Sequence, residues 1–184
     1  MGVMYWEGKR IRLRAVEPSD WEIHFAWDQD AEAAQASYFI PFPRSSEATR
    51  QWAEESAMSP PQEDAVRLQI ETLSGVLVGT INSHGCDPRT GTFSYGIAVR
   101  PEHQRKGYAS EAVLLLLRYF FNELRYQKVT VQVYEFNQPS IGLHERLGFT
   151  QEGRLRRLVY TDGKFFDVLY YGLTVEEFRA KYGG

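Results

Sequence analysis

The sequence predicts an α/β fold of the α+β kind. It reads as one domain over residues 1–184, built on a mixed, mainly antiparallel sheet of about seven strands flanked by helices. Three observations carry this. Segments that alternate apolar and polar residues recur along the chain, as half-buried strands require. Helical stretches follow Gly107 and Asn137 between such strands. The resulting β-β-β-α-β-α-β-β order puts a helix between the fourth and fifth strands, where a right-handed crossover can join parallel neighbours.

Lys9–Val16 opens the pattern as a strand with Ile11, Leu13 and Ala15 on one face. Pro18 suits an early helical position, and Trp21, Phe25 and Ala26 follow at helical spacing. The end of that helix, between Asp28 and Ala36, is left open. Tyr38 to Pro43 is an aromatic, proline-broken loop, and Ser45 or Ser46 caps a second helix to about Met58. Ala65–Thr72 and Val76–Ser83 are strands joined across Leu73-Ser74-Gly75, with Cys86 expected in a following loop. A strand over Thr92–Arg100 leads to a helix from about Gly107 to Leu124. Lys128–Tyr134 then alternates through Val129, Val131 and Val133. Asn137 caps a helix to Leu147 that Gly148 ends. Two strands turn at Asp162-Gly163, and a short helix starts from Thr174.

Composition narrows the function classes. A net charge of −3 argues against a general nucleic-acid binder. Cys86 is a single cysteine, which excludes an intramolecular disulfide and a cysteine-rich zinc site. No metal is expected, because the histidines and Cys86 lack ligand spacing. No apolar run reaches membrane-spanning length and no leader pattern is visible, so a cytoplasmic protein with no membrane partner is expected. The Arg100–Arg157 stretch is rich in basic residues and Glu17–Asp64 in acidic ones. That layout suits an anionic cofactor and a cationic amine, or simply a solvated surface of mixed charge.

The turn Gln104-Arg105-Lys106-Gly107-Tyr108-Ala109, with Ser110 after it, carries the chemistry. It joins an apolar strand to an apolar helix. A helix start has unpaired N–H groups and partial positive charge, which favour phosphate. Gly107 lets the backbone approach a ligand, and Arg105 and Lys106 add full charges. The turn is neither a P-loop nor a GxGxxG loop. Its Gln-x-x-Gly-x-Ala spacing resembles the acetyl-CoA loop of the GNAT superfamily of acetyl-CoA-dependent N-acetyltransferases. The likeness extends to Asn137-Gln138-Pro139-Ser140 and to Glu145-Arg146-Leu147-Gly148-Phe149. Gln151 to Arg156, followed by Asp162, Gly163, Lys164 and Asp167, is similar to the branch that acetylates ribosomal-protein N-termini.

The resemblance implies a fold whose central strand pair splays apart to admit the pantetheine arm. It implies acetyl transfer from acetyl-CoA, as co-substrate, to a primary amine by direct attack in a ternary complex. The acceptor is a protein N-terminus or a small-molecule amine, and a homodimer is a possible assembly. Backbone groups of Ile97, Ala98 and Val99 would orient the thioester, with an N–H near Val99 polarising the acetyl oxygen. Gln104 through Ser110 would hold the diphosphate. Asn137 would bond the pantetheine arm, cap its helix, or do both. Ser140 would pass a proton to the leaving sulfur, or serve as a second capping hydroxyl. His144 stands where many members carry Tyr, either as a proton donor or as a surface replacement. For the base, Glu135, Tyr134, Tyr95 and His84 all remain candidates, and Tyr38–Phe42 is the segment expected to touch the acceptor. A catalytically silent CoA-binding regulator or sensor is the alternative.

Overall fold

The structure, a computed structural model, describes residues 5–30, 34 and 40–183. Tyr38 and Phe39 of the expected acceptor loop lie outside these residues. Phe42 is 93% exposed.

Seven strands form one sheet in the order β1-β2-β3-β4-β5-β7-β6. They are β1 (Ile11–Arg14), β2 (Arg67–Thr72), β3 (Leu77–Asp87), β4 (Thr92–Val99), β5 (Lys128–Tyr134), β6 (Thr150–Thr161) and β7 (Lys164–Thr174). Among the described residues the longer α-helices are α1 (Trp21–Asp28), α2 (Ser46–Met58), α3 (Tyr108–Arg118), α4 (Gln138–Leu147) and α5 (Val175–Tyr182). The chain divides into two compact units, Met1–Asn82 with Ile97–Leu115, and Ser83–Gly96 with Leu116–Gly184. Both boundaries of each insertion fall inside an element (β3, β4 or α3) rather than in a linker.

In the first unit β2 pairs antiparallel with β1 and with the start of β3. Ile11, Ile70, Val78, Ile81, Ala112 and Val113 are fully buried there. The Ser45 hydroxyl, not Ser46, caps α2 by accepting from the Ala48 N–H at 3.1 Å. Beside this apolar set lies a polar one. Arg14 bridges Asp20 and Glu71, Arg12 adds a second bond to Glu71, and the His24 ring lies 3.2 Å from the Gln69 amide. The bonds from Arg14 and from the Glu17 N–H outweigh burial and hold the Asp20 carboxyl below the usual range.

The second unit is built on β5, whose Val129, Val131 and Val133 are buried as their alternation predicts. Strand β5 pairs with β7 along its whole length, and β7 with β6. The Asp162-Gly163 turn takes positive φ at both residues, the primed-turn geometry expected of that dipeptide. Strand β4 is paired in parallel with β5 through Thr92↔Lys128 and Phe93↔Val129.

One expectation needs correction and a second needs detail. Cys86 is not in a loop: β3 runs on to Asp87, leaving the thiol half-buried on its last turn-facing stretch. The helix expected to reach Leu124 ends its α-helical part at Arg118 and continues as a wider turn over Tyr119–Glu123, where the Leu124 N–H bonds to Tyr119 O. The wider turn lets the adjacent Phe120 and Phe121 both be buried. Phe120 stacks on Phe93 at 4.1 Å, and Phe121 meets Phe178 at 5.3 Å.

Candidate active site

The turn before α3 belongs to the first unit. Gly107 has φ +84° and Arg105 φ +60°, so the chain enters the left-handed region twice within three residues. A side chain at Gly107 would overlap the Arg10 guanidinium. Gln104, Arg105 and Lys106 are exposed, and Tyr108, Ala109 and Ser110 are half-buried. Gln104 does not extend freely: its Nε2 donates to Val99 O at 3.1 Å, tying the turn to the end of β4. Lys106 Nζ donates to Glu102 O at 3.0 Å. The first intrahelical bond runs from the Glu111 N–H to Gly107 O, so the N–H groups of the first helical residues stay available. The donor set fits a diphosphate: a bare-backbone glycine, unbonded helix N–H groups and two exposed cations.

Ile97 and Val99 are half-buried and Ala98 is exposed at the end of β4. Gly79 of β3 lies so close to Ala98 O that any side chain there would overlap it. The Arg100 N–H closes this junction on Val78 O at 2.9 Å.

In the second unit Asn137 caps α4, its side-chain oxygen accepting from the Ser140 N–H at 3.1 Å. The Ser140 hydroxyl is therefore not needed for the cap. It lies 3.4 Å from His144 Nδ1, which is 2.7 Å from Ser140 O. A carbonyl oxygen only accepts, so Nδ1 carries the proton and the neutral ring keeps Nε2 as an acceptor. His144 is 3% exposed, so it is no surface replacement. It sits among Tyr95, Phe149 and Tyr171, with ring centroids 5.9, 5.1 and 6.2 Å away. Burial pushes its pKa down against the opposing bond to Ser140. Burial likewise pushes the Tyr95 phenol well above its ordinary value. His144 Nε2 and Tyr95 OH are both buried with no partner among the described residues. Two orphaned polar atoms in one aromatic box are costly unless something polar visits them.

Glu135 stands at the end of β5 and is half-buried. Both its oxygens are engaged, one by the Asp167 N–H at 2.8 Å and the other by Arg154 at 2.7 Å. The Asp167 carboxyl also accepts from Arg154 and from the Arg157 N–H, which holds its pKa low. A depression of about 740 Å³ beside this group is lined by Arg154 to Leu158 and Asp167. Tyr134 is half-buried and His84 exposed. Sequence reasoning had no means to find the Arg10–Gly107 approach, since 96 residues separate Arg10 from its partner Lys106. The described residues hold no group of three or more potential metal-ligating side chains and no helix able to span a membrane.

Comparison with known proteins agrees with this arrangement. The chain is 41% identical over 183 residues to the SPbeta prophage-derived uncharacterized N-acetyltransferase YokL of Bacillus subtilis, covering all of both chains. It is 28% identical over 102 residues to a spermidine N(1)-acetyltransferase of Vibrio cholerae, covering 55% of this chain and 59% of that protein. Its fold matches a crystal structure of spermidine N-acetyltransferase from Vibrio cholerae in complex with CoA and spermine, with a TM-score of 0.78 and 21% identity. That match covers 91% of this chain and 97% of the other. Residues 10–150 match the model of the acetyltransferase (GNAT) domain. With the strand–turn–helix and the Asn-capped α4 in place, the chain belongs to the GNAT acetyltransferase family and is an enzyme that transfers an acetyl group to an amine.

Proposed function

We propose that the acetyl donor is acetyl-CoA and that the acceptor attacks it directly within a ternary complex. The turn before α3 carries this reading. Left-handed backbone, free helix N–H groups and two exposed cations coincide there. Acetyl-CoA supplies a thioester, whose acyl carbon forms a C–N bond as its C–S bond breaks. One proton must then pass from the amine nitrogen to the sulfur.

Ser140 is the group proposed to hand that proton on. Its hydroxyl is free of the cap and close to the protonated nitrogen of His144. His144 orients Ser140 by holding its carbonyl, and stays neutral. Glu135 acts as base only if its pairing with Arg154 opens. An α-amine, half-ionised near pH 8, needs less help than an alkylamine. The acceptor is a primary amine, either a peptide N-terminus or a small amine. The spermidine-acetylating relative makes polyamines the first to try.

The test is calorimetric titration with acetyl-CoA, followed in the same sample by free-thiol release against polyamines, other small amines and N-terminal peptides. Binding with release for one acceptor class is expected and names the class. Absence of acetyl-CoA binding overturns the reading.

A further inference from the structure

We propose that Arg10 is a positioning residue for the diphosphate turn, holding its backbone and adding a third cation to Arg105 and Lys106. Nothing in the turn's own sequence points to it. Arg10 precedes β1, yet its Nη1 donates to Lys106 O at 3.0 Å. The same nitrogen occupies the space that a side chain at Gly107 would take. The absent Cβ thus admits a guanidinium as well as permitting a left-handed backbone. Arg105 is not glycine and still has φ +60°. Such a conformation persists only where the surroundings over-determine it, and the bond from Arg10 to the next residue's carbonyl does so.

Arg10 is itself held from the helix. The carboxylate of Glu111, in the first turn of α3, accepts the backbone N–H groups of both Lys9 and Arg10, the latter at 3.0 Å. Gly8 leaves room for that carboxylate, since a side chain there would overlap it. An acidic side chain at this place would otherwise repel a phosphate at the helix start. Here its charge is spent on two N–H groups, and the guanidinium beside the turn offsets it further. Gly8, Arg10, Gly107 and Glu111 therefore form one latch within the first unit.

This rests on acetyl-CoA being the donor, and the experiment separates the two. Arg10→Gln, Arg10→Lys and Glu111→Gln are compared with the unaltered protein for acetyl-CoA affinity. Each is also assayed for kcat and KM with acetyl-CoA and with acetyl-pantetheine, which has the thioester and no diphosphate. Arg10→Gln is expected to raise Kd and KM for acetyl-CoA roughly ten- to a hundredfold, the range for bonds to charged groups, with kcat little changed. Its kcat/KM for acetyl-pantetheine should match the parent's. Arg10→Lys, which keeps charge without the fork, should fall between, and Glu111→Gln should shift the same way by less. An equal loss on both donors, or an unmoved Kd, overturns the proposal. If Arg10→Gln does not fold, the other two variants decide by the same donor comparison. An unaltered protein that fails to bind acetyl-CoA instead overturns the donor assignment.

Discussion

Ser140 and His144 lie one helical turn apart on α4, and the division of labour between the atoms of Ser140 decides how it can be tested. Its N–H completes the Asn137 cap, its carbonyl holds the imidazole, and only its hydroxyl is left for chemistry. Ser140→Ala removes that hydroxyl and leaves both backbone bonds. It should lower kcat by about a hundredfold, the low end for proton transfer by a side chain, with KM for acetyl-CoA unchanged. A kcat within error of the parent in steady-state assays would remove Ser140 from the reaction. The contrast between Asn137 and His144 shows how far residue types alone reach. An Asn before a helical run announces its cap through backbone chemistry that operates anywhere. The burial of His144 depends on Phe149, just past the end of α4, and on Tyr95 and Tyr171 from distant strands. No local pattern around His144 records the two tyrosines.

At the scale of elements, period and punctuation located the strands well because each signal is local. Val129, Val131 and Val133 point inward from β5, Asp162-Gly163 turns the last hairpin, and Gly148 ends α4 in the left-handed conformation. The end of β3 was misjudged, and the last turn of the helix after Gly107 is wider than its letters announce. Gly85 looks like a breaker, yet its φ of +57° is accommodated within the strand. The junction of β3 with β4 offers a sharper test of packing. Gly79→Ala would drive a methyl group into the Ala98 carbonyl, whereas Gly75, in the β2–β3 turn, has open space around it. Gly79→Ala should cost about 1–3 kcal/mol in denaturant unfolding, as overpacking does, and should disturb the end of β4. A midpoint equal to the parent's would mean the strands can part there freely.

For the whole molecule, buried histidines set the acid limb of stability. Burial lowers the pKa of both His24 and His144, so each stays neutral in the folded chain. Below about pH 6.5 the unfolded chain binds protons that the folded one refuses. Stability should therefore be level above that value and fall as pH drops through the window between the ordinary and the lowered histidine pKa. Asp20 and Glu71, held low by arginines, add a second loss at more acid pH. Thermal melts across this range should show the first decline, and His144→Phe should make it shallower. A melting temperature constant down to about pH 5 would contradict the account. The extra residue in the turn over Tyr119–Glu123 also fixes how this chain can be laid against its relatives. Deleting one residue there restores ordinary helical spacing and leaves the residues before and after on the faces they already present, because the wider turn is what absorbs the extra residue. A relative with a plain helix must then be aligned with a one-residue gap in this turn, and burial of Phe120 and Phe121, rather than matching letters, says where the gap belongs.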